Sequence, residues 1–422
     1  MSWSERDILV NWHPFTQMKL ENNPLPIVKA EGAYLYDDKG ERYIDAISSW
    51  WVNIHGHCHP HIAEAIAKQA KELDQVIFAG FTHPKAVELS ERLLTLLGKP
   101  YQKVFFSDDG STAVEVAIKM AMQYWFNQGY SKPEIIAFKQ AYHGDTFGAM
   151  SIGGRGGFNK PYEPLLFDVK FIDAPAFGNE KETISALRNA ISDRTSAFIF
   201  EPLVLGSNGM FMYSEAVLNE LIKICKQNNV ITIVDEVMTG FGRTGKMFAT
   251  QDLVNRPDIM VLSKGITGGS LPLSVTVTND NIYHAFYDDD KRKMFFHGHS
   301  YTANAISCAA ACASLDVFEN ENTLDKIQQI SDWHKQFRKE LERLDNIKNI
   351  RQTGTIIAFD VIETKENSYF SSLRDILYKM FMDKKLLIRP LGNTVYLMPP
   401  YCISEKDMNE VYYGLLDVLK SI

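Results

Sequence analysis

Apolar runs of strand length alternate with amphipathic segments of helix length along most of the chain. Residues 103–106, 134–138, 197–200, 230–234, 258–262 and 273–277 are predicted strands. Several are apolar on both faces, as strands inside a helix-covered sheet must be. The spacing of apolar positions predicts helices over 62–73, 84–97, 112–126, 181–191 and 214–227. Such alternation builds βα units and a mostly parallel sheet, so the fold class is α/β. Ahead of it, residues 33–36 and 42–45 read as a hairpin whose turn ends at Gly40. After a long helical stretch, 303–344, the pattern restarts with a strand at 356–361, a helix at 371–382, strands near Leu386 and Val395, and a last helix at 405–419. The expected organisation is a large domain, 56–318, and a smaller α/β domain formed by both chain ends, 1–55 and 319–422.

Composition narrows the function classes. The 422 residues carry 44 Lys and Arg against 52 Asp and Glu, a formal charge of −8, with no basic block, so nucleic acid is not an expected partner. No apolar run reaches the ~20 residues of a spanning helix, and the first residues have neither a basic nor an apolar signal region. The expected protein is cytoplasmic and does not engage a membrane. Cys58, Cys225, Cys308, Cys312 and Cys402 are scattered and odd in number, which argues against a disulfide framework or a zinc site.

Three sequence features compete for chemistry. Asp235 and Lys264 each follow an apolar strand, and ligands of open α/β sheets bind beyond the carboxyl ends of strands. A lysine drawn there is partly desolvated, which favours its neutral, nucleophilic form. The helix opening at Gly110-Ser111-Thr112 directs free N–H groups toward the same side, a natural phosphate seat. Second, 240–245 satisfies G-x-G-x-x-G, but the acids Asp235 and Glu236 precede it and no long helix follows, so a dinucleotide site is not expected. Third, His55, His57, His59 and His61 invite a metal, yet Gly56 and Pro60 favour a turn with partly exposed imidazoles, and no metal is expected.

Asp235-Glu236, 240–245, Ser263-Lys264-Gly265, Gly110-Ser111, Tyr142-His143-Gly144 and 297–300 together resemble the class III, pyridoxal-phosphate-dependent aminotransferases of fold type I, in the right order over nearly the whole chain. That resemblance implies pyridoxal 5′-phosphate as cofactor, bound covalently by Lys264. Asp235 would hold the ring nitrogen protonated: two unit charges about 4 Å apart at an effective dielectric of 20 interact by about 4 kcal/mol, or about three pKa units. Tyr142 would cover the ring, and Gly110, Ser111, His299 and Ser300 would hold the phosphate, Ser300 reaching across from a partner subunit. A homodimer is thereby implied.

A narrower resemblance rests on 12–18, Ser49-Trp50-Trp51, 142–150 and 388–400. It points to the members that aminate 8-amino-7-oxononanoate with S-adenosylmethionine in biotin biosynthesis. It implies Arg389 for the substrate carboxylate and Phe15, Trp50, Trp51, Tyr142, Asp145 and Gly298 for the rest of the substrate site. Phe15 stands where those members carry a tyrosine, His299-Ser300 where they carry Pro-Thr, and Leu205 where they carry a polar residue. Lysine as donor to the same acceptor, or an ω-amino acid substrate, is the alternative.

Overall fold

The computed structural model describes residues 1–21, 23–176, 178–362 and 372–422. Its main sheet has seven strands in the spatial order Tyr101–Ser107, Ser274–Asn279, Ile259–Leu262, Ile231–Asp235, Thr195–Phe200, Glu134–Phe138 and Lys170–Ile172. The strand Ser274–Asn279 runs antiparallel to both neighbours, a departure from the simple βα expectation. Its connection explains it: after Leu262 the chain makes only a short 3-10 turn, Lys264–Thr267, and no long crossover helix, so the chain returns antiparallel. The other six strands share one direction, and their carboxyl ends form one rim of the sheet.

Both faces of this sheet are buried. Ile135, Ala137, Ile199, Ile233 and Val261 pack with the helix Gly110–Asn127, whereas Phe138, Phe198, Phe200 and Val234 pack with the helix Glu215–Gln227. That two-sided burial is why these strands read as continuous apolar runs.

The predicted hairpin forms as Tyr34–Asp37 and Arg42–Asp45, with Ile27–Glu31 added on its outer edge. Its inner strand pairs in parallel with Leu386–Leu387, joining the two chain ends in one sheet. A further antiparallel sheet is formed by Ile347–Thr353, Ile356–Val361 and Thr394–Leu397. The long helical stretch divides into Ala305–Asn320 and Thr323–Leu341. The helix expected over 371–382 is seen as Ser372–Asp383, and Ser371 lies outside the described residues. The strand Ile347–Thr353 and the helix Trp3–Val10 escape the periodicity, because neither presents a continuous buried face.

The histidine segment is tied down by side chains. His55 Nε2 meets the Ser314 hydroxyl at 3.1 Å, and His57, His59 and His61 pair with Asp45, Glu321 and Asp316. His55 is buried rather than partly exposed, with its ring edge-on to Phe318 and Tyr401. No helix among the described residues is long and apolar enough to cross a membrane.

Candidate active site

The rim at the strands' carboxyl ends borders a cavity of about 440 Å3. Five of the strands lead into it. Tyr101–Ser107 leads into the helix opening at Gly110, Glu134–Phe138 into Tyr142, His143 and Gly144, Thr195–Phe200 into Glu201, Ile231–Asp235 ends in Asp235, and Ile259–Leu262 leads to Lys264. Trp51, Met238 and Leu271 add apolar wall.

At the helix mouth, the capping residue is Asp109 and not the Gly-Ser pair. Its carboxylate accepts the Thr112 N–H at 3.1 Å, while its own N–H donates to the Thr112 hydroxyl at 3.2 Å. Ser111 Oγ therefore stays available to the cavity and accepts the Asp145 N–H at 3.3 Å. Gly144 fits against it at φ +128°, where a Cβ would overlap the Ser111 hydroxyl.

Asp235 is buried, with Oδ2 accepting from His143 Nδ1 at 2.7 Å and Oδ1 from the Val237 N–H at 3.0 Å. His143 Nε2 is buried without a hydrogen-bond partner among the described residues. Glu201 accepts the N–H groups of Tyr142 at 3.0 Å and Gly206 at 2.9 Å. Burial first, with Asp235 adding like charge against the opposing effect of His143, pushes its carboxyl up to about 7. Burial lowers the Lys264 amine from its ordinary value, against the pull of Asp235 and Glu201. The same burial, with Asp145 nearby, raises the Tyr142 phenol. Lys264 Nζ lies 5.4 Å from the Trp51 ring centroid.

Of the residues expected from sequence, Lys264, Asp235, Tyr142, Gly110, Ser111 and Trp51 line this cavity. Asp145 adjoins it through Ser111. Phe15, Trp50 and Arg389 form a separate group: the Trp50 ring lies 5.5 Å from Phe15 and 5.7 Å from the Arg389 guanidinium. Phe158 completes that aromatic wall, 6.1 Å from Phe15. Trp50 is 46% exposed and Trp51 6%, so consecutive indoles serve different surfaces. Gly298 and Ser300 are exposed and lie outside the cavity lining, and His299 reaches only its edge, 3.5 Å from Asp108. Leu205 is fully buried in a short hairpin.

Sequence reasoning assigned no role to Glu201, His143 or Phe158. Glu201 carried nearly the same signal as Asp235, an acid at the carboxyl end of a buried strand. The Glu236 beside Asp235 is turned away from the cavity and accepts from Ala249 N, Thr250 N and the Thr250 hydroxyl, organising the glycine turn. Arg243 of that turn is buried and donates to the Pro399 and Trp51 carbonyls, a structural use that leaves no dinucleotide cradle.

The cavity suits a flat heterocycle bearing an aldehyde, a basic ring nitrogen and a phosphate. It presents a buried amine at Lys264, a buried carboxylate at Asp235, and a hydroxyl with free N–H groups at the start of an 18-residue helix. Pyridoxal phosphate has those three groups.

Comparison with known proteins agrees in family. The family model Aminotransferase class-III matches residues 16–419. The adenosylmethionine-8-amino-7-oxononanoate aminotransferase of Synechococcus elongatus is 44% identical, covering 97% of this chain and 98% of its own. That of Helicobacter pylori is 39% identical, covering 99% and 97%. The crystal structure of the Methanocaldococcus jannaschii enzyme of the same name superposes with a TM-score of 0.94 at 36% identity, covering 99% of this chain and 98% of that one. A PLP-bound amine transaminase from an uncultivated Pseudomonas species gives 0.92 at 28% identity, covering 98% of each chain. With the fold, the cavity and these full-length likenesses in agreement, the chain belongs to the class III aminotransferases and has their fold type I architecture.

Proposed function

We propose that this aminotransferase uses pyridoxal 5′-phosphate to aminate 8-amino-7-oxononanoate to 7,8-diaminononanoate, with S-adenosylmethionine as amino donor, in biotin biosynthesis. The observation that carries the reading is one cavity bordered by the Lys264 amine, the Asp235 carboxylate and the Ser111 helix mouth. The substrates rest on the names of the relatives that share the chain's full length. When bound, the cofactor supplies an electron sink for charge developing on the carbon that exchanges its amino group.

The chain's residues do the rest. Lys264 Nζ would hold the cofactor and, once released from it by the incoming amine, would take the proton from the donor's amine-bearing carbon and return one to the acceptor's former carbonyl carbon. Burial favours the neutral amine that both tasks need. Asp235 keeps a proton on the ring nitrogen, and His143 Nδ1 fixes that carboxylate at 2.7 Å. The Tyr142 ring covers the heterocycle, with its backbone anchored on Glu201. Arg389 takes the acceptor carboxylate in a bidentate pair, while Phe15 and Trp50 wall the apolar chain.

The enzyme acts as a cytoplasmic homodimer of large domains, 56–318, and small domains from both chain ends, 1–55 and 319–422. The parallel pairing of Leu386–Leu387 with Ile44-Asp45 supports the joint small domain. The exposure of Gly298 and Ser300, away from their own cavity, supports a role for them in the partner's site. The alternative donor, lysine, draws on Phe15, which offers no hydroxyl in the aromatic group.

The test is direct. Purified protein is yellow from bound cofactor, and Lys264→Ala abolishes covalent attachment after borohydride reduction. S-adenosylmethionine, lysine or 4-aminobutyrate is then mixed in separately, and the visible band is followed. Bleaching by S-adenosylmethionine is the expected result. Bleaching by lysine alone reverses the donor assignment, and a colourless protein that binds no pyridoxal phosphate ends the reading.

A further inference from the structure

The segment Ser48–Trp51 is the most contorted stretch near the cavity. Ser48, Ser49 and Trp51 have φ of 53°, 59° and 68°, and none is glycine. Non-glycine residues are strained in this region, so the surrounding structure must over-determine them. The effect is to divide two adjacent indoles. Trp51 faces the cavity 5.4 Å from Lys264 Nζ, and Trp50 lies over the Arg389 guanidinium at 5.7 Å.

The holding group is a carboxylate that plays no part in the reaction. Asp45 has no solvent exposure; its Oδ1 accepts the Ile47 N–H at 3.1 Å and its Oδ2 the Ser49 N–H at 2.6 Å. Its Oδ2 also accepts from His57 Nε2 at 2.8 Å. With Nε2 donating, His57 Nδ1 is the acceptor for the Asn53 amide, and both ring nitrogens are used. Asn53 is in turn pressed on Gly269 of the cavity wall, where a Cβ would overlap its Oδ1. The Ser48 hydroxyl donates to the Met398 carbonyl at 2.8 Å, and the Trp51 indole N–H to the Tyr396 hydroxyl at 2.8 Å.

We infer that Asp45, braced by His57, is a positioning residue for acceptor specificity. It clamps the strained Ser48–Trp51 turn so that Trp50 and Arg389 present one fixed apolar wall and carboxylate anchor. This rests on the proposed function for the identity of the acceptor and for the roles of Trp50 and Arg389 toward it. Truncating the clamp lets the turn relax and moves Trp50, while Lys264, Asp235 and Ser111 stand on other elements and stay in place.

The test uses holoenzyme variants Asp45→Asn, His57→Ala, His57→Gln and Ser49→Gly. KM and kcat with 8-amino-7-oxononanoate are measured together with cofactor affinity and Tm. A misplacement of this kind costs about tenfold or more, so Asp45→Asn and His57→Ala should raise the acceptor KM by about that factor, with a smaller change in kcat and unchanged cofactor affinity. His57→Gln, which still donates to Asp45, should recover most of the loss. Ser49→Gly relieves the strain while keeping the N–H that Asp45 accepts, so its Tm should stay level or rise and its KM should stay near that of the wild type, which separates loss of the clamp from a change of residue in the turn. An unchanged KM in His57→Ala overturns the inference, even if Asp45→Asn does not fold. Should the wild type ignore this acceptor, the substrate assignment fails separately, and the same KM ratios are read with whichever of lysine or 4-aminobutyrate bleaches the visible band, since each carries a carboxylate for Arg389.

Discussion

At the residue scale the site is governed by what burial does to charge. Glu201 binds its proton more tightly folded than unfolded, with a pKa pushed up from 4.5 to about 7. The sign follows: its contribution to stability is fully present below about 4.5 and is lost as pH rises through about 7. At about 1.4 kcal/mol per pKa unit, the window is worth roughly 3 kcal/mol. Cofactor-free Glu201→Gln should therefore lack this fall, and urea unfolding of wild type and variant at pH 5 and pH 8 reads the difference. A second residue-scale prediction concerns Gly144. Its φ of +128° and the Ser111 hydroxyl in its Cβ position make Gly144→Ala costly, and cofactor affinity should fall by about tenfold or more, measured by titrating pyridoxal phosphate into apoprotein. Asp235 and Lys264 were legible in the sequence because polar residues that end apolar strands stand out. Phe158 was not, since an aromatic in a glycine-rich stretch acquires meaning only from Phe15 at 6.1 Å.

At the element scale the helix Gly110–Asn127 carries both stability and binding. Its surface is apolar apart from a few positions such as Glu115, Lys119 and Gln123, and Glu115 turns inward to accept from the Thr146 hydroxyl and the Gly148 N–H. The sequence did not single out Asp109 as the cap, since Ser111 is as acceptable in that role. Asp109→Ala should cost about 1 kcal/mol of stability. Asp109→Ser should keep the cap, remove a negative charge from the phosphate seat, and tighten cofactor binding. Thermal melts of the apoprotein and cofactor titration separate the two effects. The antiparallel Ser274–Asn279 shows a different limit: its apolar run looks like that of any buried strand, and only the short return after Lys264 reverses its direction.

At the scale of the whole molecule, distant parts of the chain are locked together around the cavity. Arg243, 1% exposed, donates to the carbonyls of Pro399 and Trp51, linking the glycine turn to both chain ends. Arg243→Met leaves those two buried carbonyls without these donors, so it should cost about 2–5 kcal/mol, read as a lower denaturant midpoint, and should weaken the hold on Trp51. By itself the sequence determined the α/β class, six of the seven strands of the main sheet with the long helices that cover it, and the residues at the strand ends, because two-sided burial and helical periodicity are local patterns. It also determined the family, through motifs that keep their order along the chain. The tertiary structure decided which groups meet: His143 on Asp235, Glu201 under Tyr142, and Asp45 on the turn that separates Trp50 from Trp51. Those pairings join residues far apart in the chain or across an unusual turn, and no local pattern of hydrophobicity encodes them, because they depend on where strands end relative to one another in space.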